Sequence, residues 1–271
     1  MSANSSESTN KHGQPESSDF RIAVFNVPED LELLEKALMT LPNMDRATAR
    51  LQTRLMPGIV PGTFVQDAAL ATVKKIEDVA GTASAVSANS VPDLNHVHST
   101  HHVILSDMAL EAIDTSDQIQ SCAWDKVSVI SVGVLPSSAP SRSRSGSTLS
   151  SGSSHRSWNS GVKIAAKPRP EAYIVLSDGQ ATLNMASDEM NFEYLGDRLA
   201  KNSSANFMLL IRDLVRRATN ALITPATIAF LEHTPVPRSE FRSHEEFRRY
   251  TEFQTVLSRR QKEMAEQNVK H

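Results

Sequence analysis

A single cysteine, Cys122, stands among 271 residues. An intrachain disulfide is therefore excluded, and so is a zinc site closed by cysteines. A lone thiol suits a reducing compartment. Nowhere does the chain reach the roughly 18 consecutive apolar residues that cross a bilayer. The polar, serine-rich stretch 1–19 offers no apolar run for a secretory signal. These absences predict a cytoplasmic protein without a transmembrane segment. Charge of one sign is missing too: 28 Lys and Arg against 31 Asp and Glu give a net charge of −3. No global field then favours nucleic acid or an anionic membrane, and such binding would need a local patch. Apolar residues make up 39%, below the roughly 45–50% of ordinary globular chains. That shortfall predicts folded cores diluted by disordered stretches. A phosphate-binding Gly-rich loop, a metalloprotease motif and a dinucleotide fingerprint are all absent, and the reading assigns no cofactor, no metal and no catalytic residue.

Patterning divides what remains into two α+β modules. Residues 1–19 read as a disordered tail. Order starts at the β-rich run Phe20 to Phe25. Pro28 then suits the first turn of a helix, with Glu29 and Asp30 favouring its positive end. Leu31, Leu34, Leu38 and Leu41 follow at helical spacing. A second helix is expected near Asp45 with Ala47, Leu51 and Leu55 on one face. Met56 to Gly62 is punctuated as a structured loop. Thr63 and Gln66 form a capping-box pattern ahead of a stripe of Val65, Ala69, Val73, Ile76 and Ala80, with Gly81 as a left-handed stop. Ala83 to Val86 returns as a strand. The order is β-α-α-α-β over 20–86.

Residues 87–101 read as a linker, and 102–232 as an antiparallel β module closed by helices. Its strands are expected at Val103–Leu105, Ala109–Ile113, Gln118–Ala123, Lys126–Leu135, Ala172–Leu176 and Ala181–Met185. The last two flank Asp178-Gly179, a hairpin signal. A disordered Ser/Arg/Gly/Pro insert occupies 137–170. Phe207, Leu210, Ile211, Leu214 and Val215 mark one helix, entered at Asn202 or a neighbouring serine. Residues 233–271 form a helical tail opened by a Ser243/Glu246 capping box, its charged turns from Arg259 onward fraying.

Several of these residues carry resemblances. The opening strand, the acidic-capped helix, and Pro57 to Gly62 leading into Asp67 to Gly81 make residues 20–86 resemble the superfamily of the Clp protease adaptor and the ribosomal stalk protein C-terminal domain. The adaptor holds an amino group with an Asn-Asp-Asp run and a His. Asn26 stands at the first position, but Val27 and Pro28 follow and cannot accept hydrogen bonds through their side chains. No His lies between residues 20 and 86. The stalk domain uses a Lys/Arg-bearing helix and a Gly-Leu-Gly-Leu turn, where this chain has Glu29, Asp30, Glu32 and Glu35 with Lys36, and Asn43-Met44-Asp45-Arg46. The run Ser121-Cys122-Ala123-Trp124-Asp125-Lys126 makes the second module look like a bacterial pleckstrin-homology-like domain.

The functional expectation is non-enzymatic protein–protein recognition, as adaptor or scaffold, with Asn26, Glu29, Glu32 and Glu35 as candidate partner-binding residues. The alternative is peripheral binding to nucleic acid or anionic membrane through Arg142, Arg144, Arg156, Lys163, Lys167 and Arg169, a cationic run without an acidic residue whose affinity would fall steeply with salt. His96, His98, His101 and His102 could meet zinc or nickel. They lie in the expected linker without rigid supporting carboxylates, so a solvated linker is the default. Ser106-Asp107 and Ser177-Asp178-Gly179 read as turns. Neither is a Gly-x-Ser-x-Gly elbow. Cys122 and Trp124 read as core.

Overall fold

A computed structural model of the chain describes residues 19–136, 168–177, 182–233 and 240–269. These fall into two compact units, one running to Val91 and resumed from Arg259, the other from Pro92 to Ser258.

In the first unit β1 (Phe20–Asn26) is the centre of a three-stranded antiparallel sheet. Its alternation sends Ile22 and Val24 into a core with Leu34, Leu38, Val73 and Ile76. Helix α1 (Leu31–Leu38) is capped by Asp30, whose carboxylate accepts the Glu32 amide at 2.9 Å; Pro28 precedes the helix instead of opening it. Helix α2 (Arg46–Leu55) is capped by Asp45, which takes the Thr48 amide at 2.7 Å. Between α2 and α3 (Gln66–Asp78) the expected loop holds a short strand, β2 (Gly58–Ile59), paired with Val24 and Ala23 of β1. β3 (Thr82–Ser87) pairs along the other edge of β1. The order is thus β-α-α-β-α-β, because two paired residues leave no periodic trace among Pro and Gly.

Three local expectations for this unit are corrected. The Thr63/Gln66 cap is replaced by Val65, which makes no side-chain capping bond. Ala69, Val73 and Ile76 of the expected stripe are buried, while Val65 and Ala80 are exposed. The left-handed residue is Ala80, at φ 62°, and not Gly81. Glycine is needed at 81 for room: a Cβ there would lie 2.6 Å from Ile76 Cγ2 and 2.9 Å from its carbonyl oxygen.

The second unit is built on a five-stranded sheet ordered β11-β8-β9-β10-β4 and a three-stranded antiparallel sheet β5-β6-β7. The strands are β4 (Val97–Thr100), β5 (His102–Leu105), β6 (Ala109–Ile113), β7 (Ile119–Ala123), β8 (Val127–Pro136), β9 (Pro168–Leu176), β10 (Thr182–Ala186) and β11 (Leu222–Ile223). The sheet interior is antiparallel, but β4 and β11 join its edges in parallel. That corrects the wholly antiparallel expectation. The 87–101 linker is corrected as well, since it contains a 3-10 turn at Ala88–Ser90 and the whole of β4. Pro168 to Pro170, assigned to the insert, belong to β9; the insert's residues 137–167 lie outside the described residues, as does the Asp178-Gly179 turn.

Both faces of the five-stranded sheet are covered. Ile130, Val132, Ile174 and Leu183 face a core shared with Val103, Leu110 and Cys122 of the smaller sheet, with Trp124 of the 3-10 turn that follows it, and with Phe207, Leu210 and Leu214 of α4 (Ser203–Arg217). The opposite face carries Leu135 and Tyr173 against Ala226 of α5 (Pro225–Glu232) and Phe247 of α6 (His244–Val269). Coverage on both sides explains why β8 and β9 read as near-continuous apolar runs. Helix α5 had no sequence expectation: its eight residues are apolar on most sides, from Ala226 to Leu231, and show no clear stripe. Ser243 Oγ accepts the Glu246 amide and Glu246 accepts the Arg242 amide, close to the capping box expected. The helix is no fraying tail. Phe247 is fully buried, and the turns from Arg259 belong to the first unit, where Arg260 lies 4.2 Å over the Phe25 ring.

Candidate functional site

Exposed apolar side chains occur on several elements, among them Leu31 of α1 and Leu70 of α3, and α2 carries two of them one turn apart. The face that packs inward is Ala49, Gln52 and Thr53. Thr53 satisfies its hydroxyl on the Ala49 carbonyl at 2.9 Å, which lets a polar residue occupy an inner position. The apolar face of Ala47, Leu51 and Leu55 points the other way, with Leu51 57% and Leu55 48% exposed. Arg46, Arg50 and Arg54 lie beside it, also exposed. Residues four apart stack on a helix, so the outer surface consists of two neighbouring ridges, one apolar and one basic, over about 15 Å. Among the described residues only Arg46 of the three has a carboxylate partner, Glu35 Oε1 at 2.9 Å. The chain has no acidic residue between Asp45 and Asp67.

Of the four residues expected to bind a partner, three are exposed and one is buried. Asn26 is exposed at the end of β1, opposite Thr82 after a register shift. Glu29 and Glu32 are exposed. Glu35 is buried and holds α2 to α1 through Arg46. None of these four lies on α2, whose outer face is easily passed over because an apolar i, i+4, i+8 stripe is by default read as core. The available signal was the arginine one residue before each apolar position.

In the second unit, Arg169 is the described member of the expected anion-binding set. Its guanidinium is already engaged by Glu189 at 3.0 Å, Asp188 at 3.1 Å and Glu171 at 3.4 Å. Burial alone would lower its pKa. The Glu189 hydrogen bond and the three carboxylate charges outweigh that and hold it above the ordinary value. Arg142, Arg144, Arg156, Lys163 and Lys167 lie outside the described residues. Buried Glu171 also accepts from Asn184 Nδ2 at 2.8 Å and lies 3.2 Å from His244 Nδ1. Two residues along β9, burial and then the Glu171 charge push the Tyr173 phenol well above its usual pKa. Together these partners form a partly buried polar strut between sheet and α6.

The remaining candidates are structural. Ser106 Oγ hydrogen-bonds the backbone of Ala109 within the β5–β6 turn, and Arg217 reaches Asp107 at 3.3 Å. Cys122 and Trp124 are buried in the core, with the indole N–H donating to the Ser106 carbonyl at 3.0 Å. His96 pairs with Asp93 at 2.6 Å, and His101 Nδ1 meets the Glu189 carbonyl at 2.5 Å. Among the described residues no three His, Cys, Asp or Glu side chains are placed to hold a metal ion. No described helix is long and apolar enough to cross a membrane. Compared with protein-family models, curated proteins and solved structures, the chain matches none.

Proposed function

We propose that the chain is a non-enzymatic protein–protein interaction module, an adaptor or scaffold, that recognises its partner through the outer face of α2. One observation carries this reading: two leucines on a ten-residue helix are about half exposed while a glutamine and a threonine of the same helix are buried. Burying the exposed remainder of Leu51 and Leu55 against a partner is worth about 1–3 kcal/mol for the pair. A scattered exposed leucine needs no explanation, but a ridge with Ala47 in register is what helix-in-groove recognition uses.

The adaptor/stalk-like shape proposed for the first unit is supported by its helices lying over a small sheet centred on the opening strand. The pleckstrin-homology-like shape proposed for the second is supported by two sheets packed on a common core with closing helices. A cytoplasmic location is proposed on the lone, buried Cys122. The test is affinity purification at physiological salt with the intact chain and with L51D/L55D, both checked for unchanged circular dichroism. The proposal expects partners recovered by the first and lost from the second. Equal recovery from both, or no recovery from either, overturns it.

A further inference from the structure

Resting on that reading, we propose that the segment bound by α2 is an acidic amphipathic helix, carrying apolar side chains one turn apart with carboxylates beside them. The apolar ridge sets the spacing. Ala47, Leu51 and Leu55 repeat every four residues, so a partner helix meets them best with its own apolar residues at the same interval. The basic ridge sets the charge. Arg54 lies in the last turn, where the helix dipole alone would favour a cation. Arg50 lies mid-helix, where the dipole gives no such reason, and neither has a described carboxylate partner. Arginine forks match carboxylates in bidentate fashion, and their place beside the leucines lets an ion pair form at the rim of the apolar contact. Like charge on a basic partner would be rejected by the same ridge.

An anionic membrane surface would also meet arginines. The two-ridge spacing favours a helix, since a lipid surface imposes no four-residue register on the apolar side chains. The experiment separates the two. A display library of random peptides of about 15 residues, four helical turns, is selected on the full-length chain, and phosphatidylserine vesicles are sedimented with it in parallel. The expected result is enrichment of peptides rich in Asp and Glu with apolar residues four apart. Their binding to R50E/R54E should fall roughly tenfold or more at low salt, and their binding to L51A/L55A should fall at every salt concentration. Selected peptides that are neutral or basic, or that bind R50E/R54E as well as the unaltered chain, overturn the inference. Vesicle binding through Arg50 and Arg54 without acidic peptides overturns it as well. The two readings fail separately. Partners lost from L51D/L55D, with no acidic peptides selected, remove the acidic chemistry and leave the interaction module standing.

Discussion

Gly133 lies where a methyl group has no room. An added Cβ would come within 2.7 Å of the Phe241 ring and 2.8 Å of the Phe247 ring, which stack at 4.9 Å. G133A is therefore expected to cost about 1–3 kcal/mol through overpacking, read as a lower urea midpoint; an unchanged midpoint would show that the rings yield freely. The tyrosines give a second reading at this scale. Tyr173 and Tyr194 are both raised, in each case first by burial and then by a neighbouring carboxylate, Glu171 or Asp213. A raised phenol contributes stability that is present below its unfolded pKa of about 10 and lost as pH rises through the folded value. Ultraviolet titration should find both phenols protonated at that pH, ionising only as helical signal is lost. Removing them as Y173F/Y194F should leave the phenolate signal near that pH unchanged, and a smaller signal would contradict the burial. Asp45 runs the other way. Hydrogen bonds from Thr48, backbone first, hold its carboxylate below the usual range, so its contribution is present at neutral pH and lost as pH falls through the folded value. Acid unfolding of D45N should accordingly start from a lower midpoint at neutral pH and lose less on acidification.

Helix α2 shows where reading elements from sequence succeeds and where it stops. Its existence and its Asp45 cap were legible, since an aspartate before a run of good helix formers is a strong start signal. Which face turns inward was not. Ala49, Gln52 and Thr53 can pack because the inner contact is shallow and partly polar, with the Glu35–Arg46 pair at its edge. The same limit hid β2, β4 and β11, which have two to four residues and are held by pairing with distant strands. Long strands and α4 carried their own pattern, down to the Asn202 cap at 2.8 Å from the Ala205 amide. Of the candidate site, the apolar face of α2 was legible, while the burial of Glu35 and the outward turn of Leu51 and Leu55 were not. It follows that L51Q/L55Q should alter stability by no more than about 0.5 kcal/mol, whereas L38A in α1 should cost about 2–5 kcal/mol. Chemical denaturation of both variants decides this, and a large loss in L51Q/L55Q would return those leucines to the core.

At the scale of the whole molecule, the described residues hold three hydrophobic clusters, one in the first unit and one on each face of the second unit's larger sheet, and a last helix whose first turns are integral to the second unit. F247A should cost that unit about 3–5 kcal/mol, measured by thermal melting, where a dispensable tail would lose almost nothing. The proposed recognition rests on α2 as the surface that meets another protein. Site-specific photo-crosslinking tests this most directly: a benzophenone side chain replaces Leu51 in one chain and Met108, which is 80% exposed in the second unit, in another. The account predicts a discrete crosslinked polypeptide from position 51 and none from 108. Equal labelling from both positions, or none from 51, would contradict it.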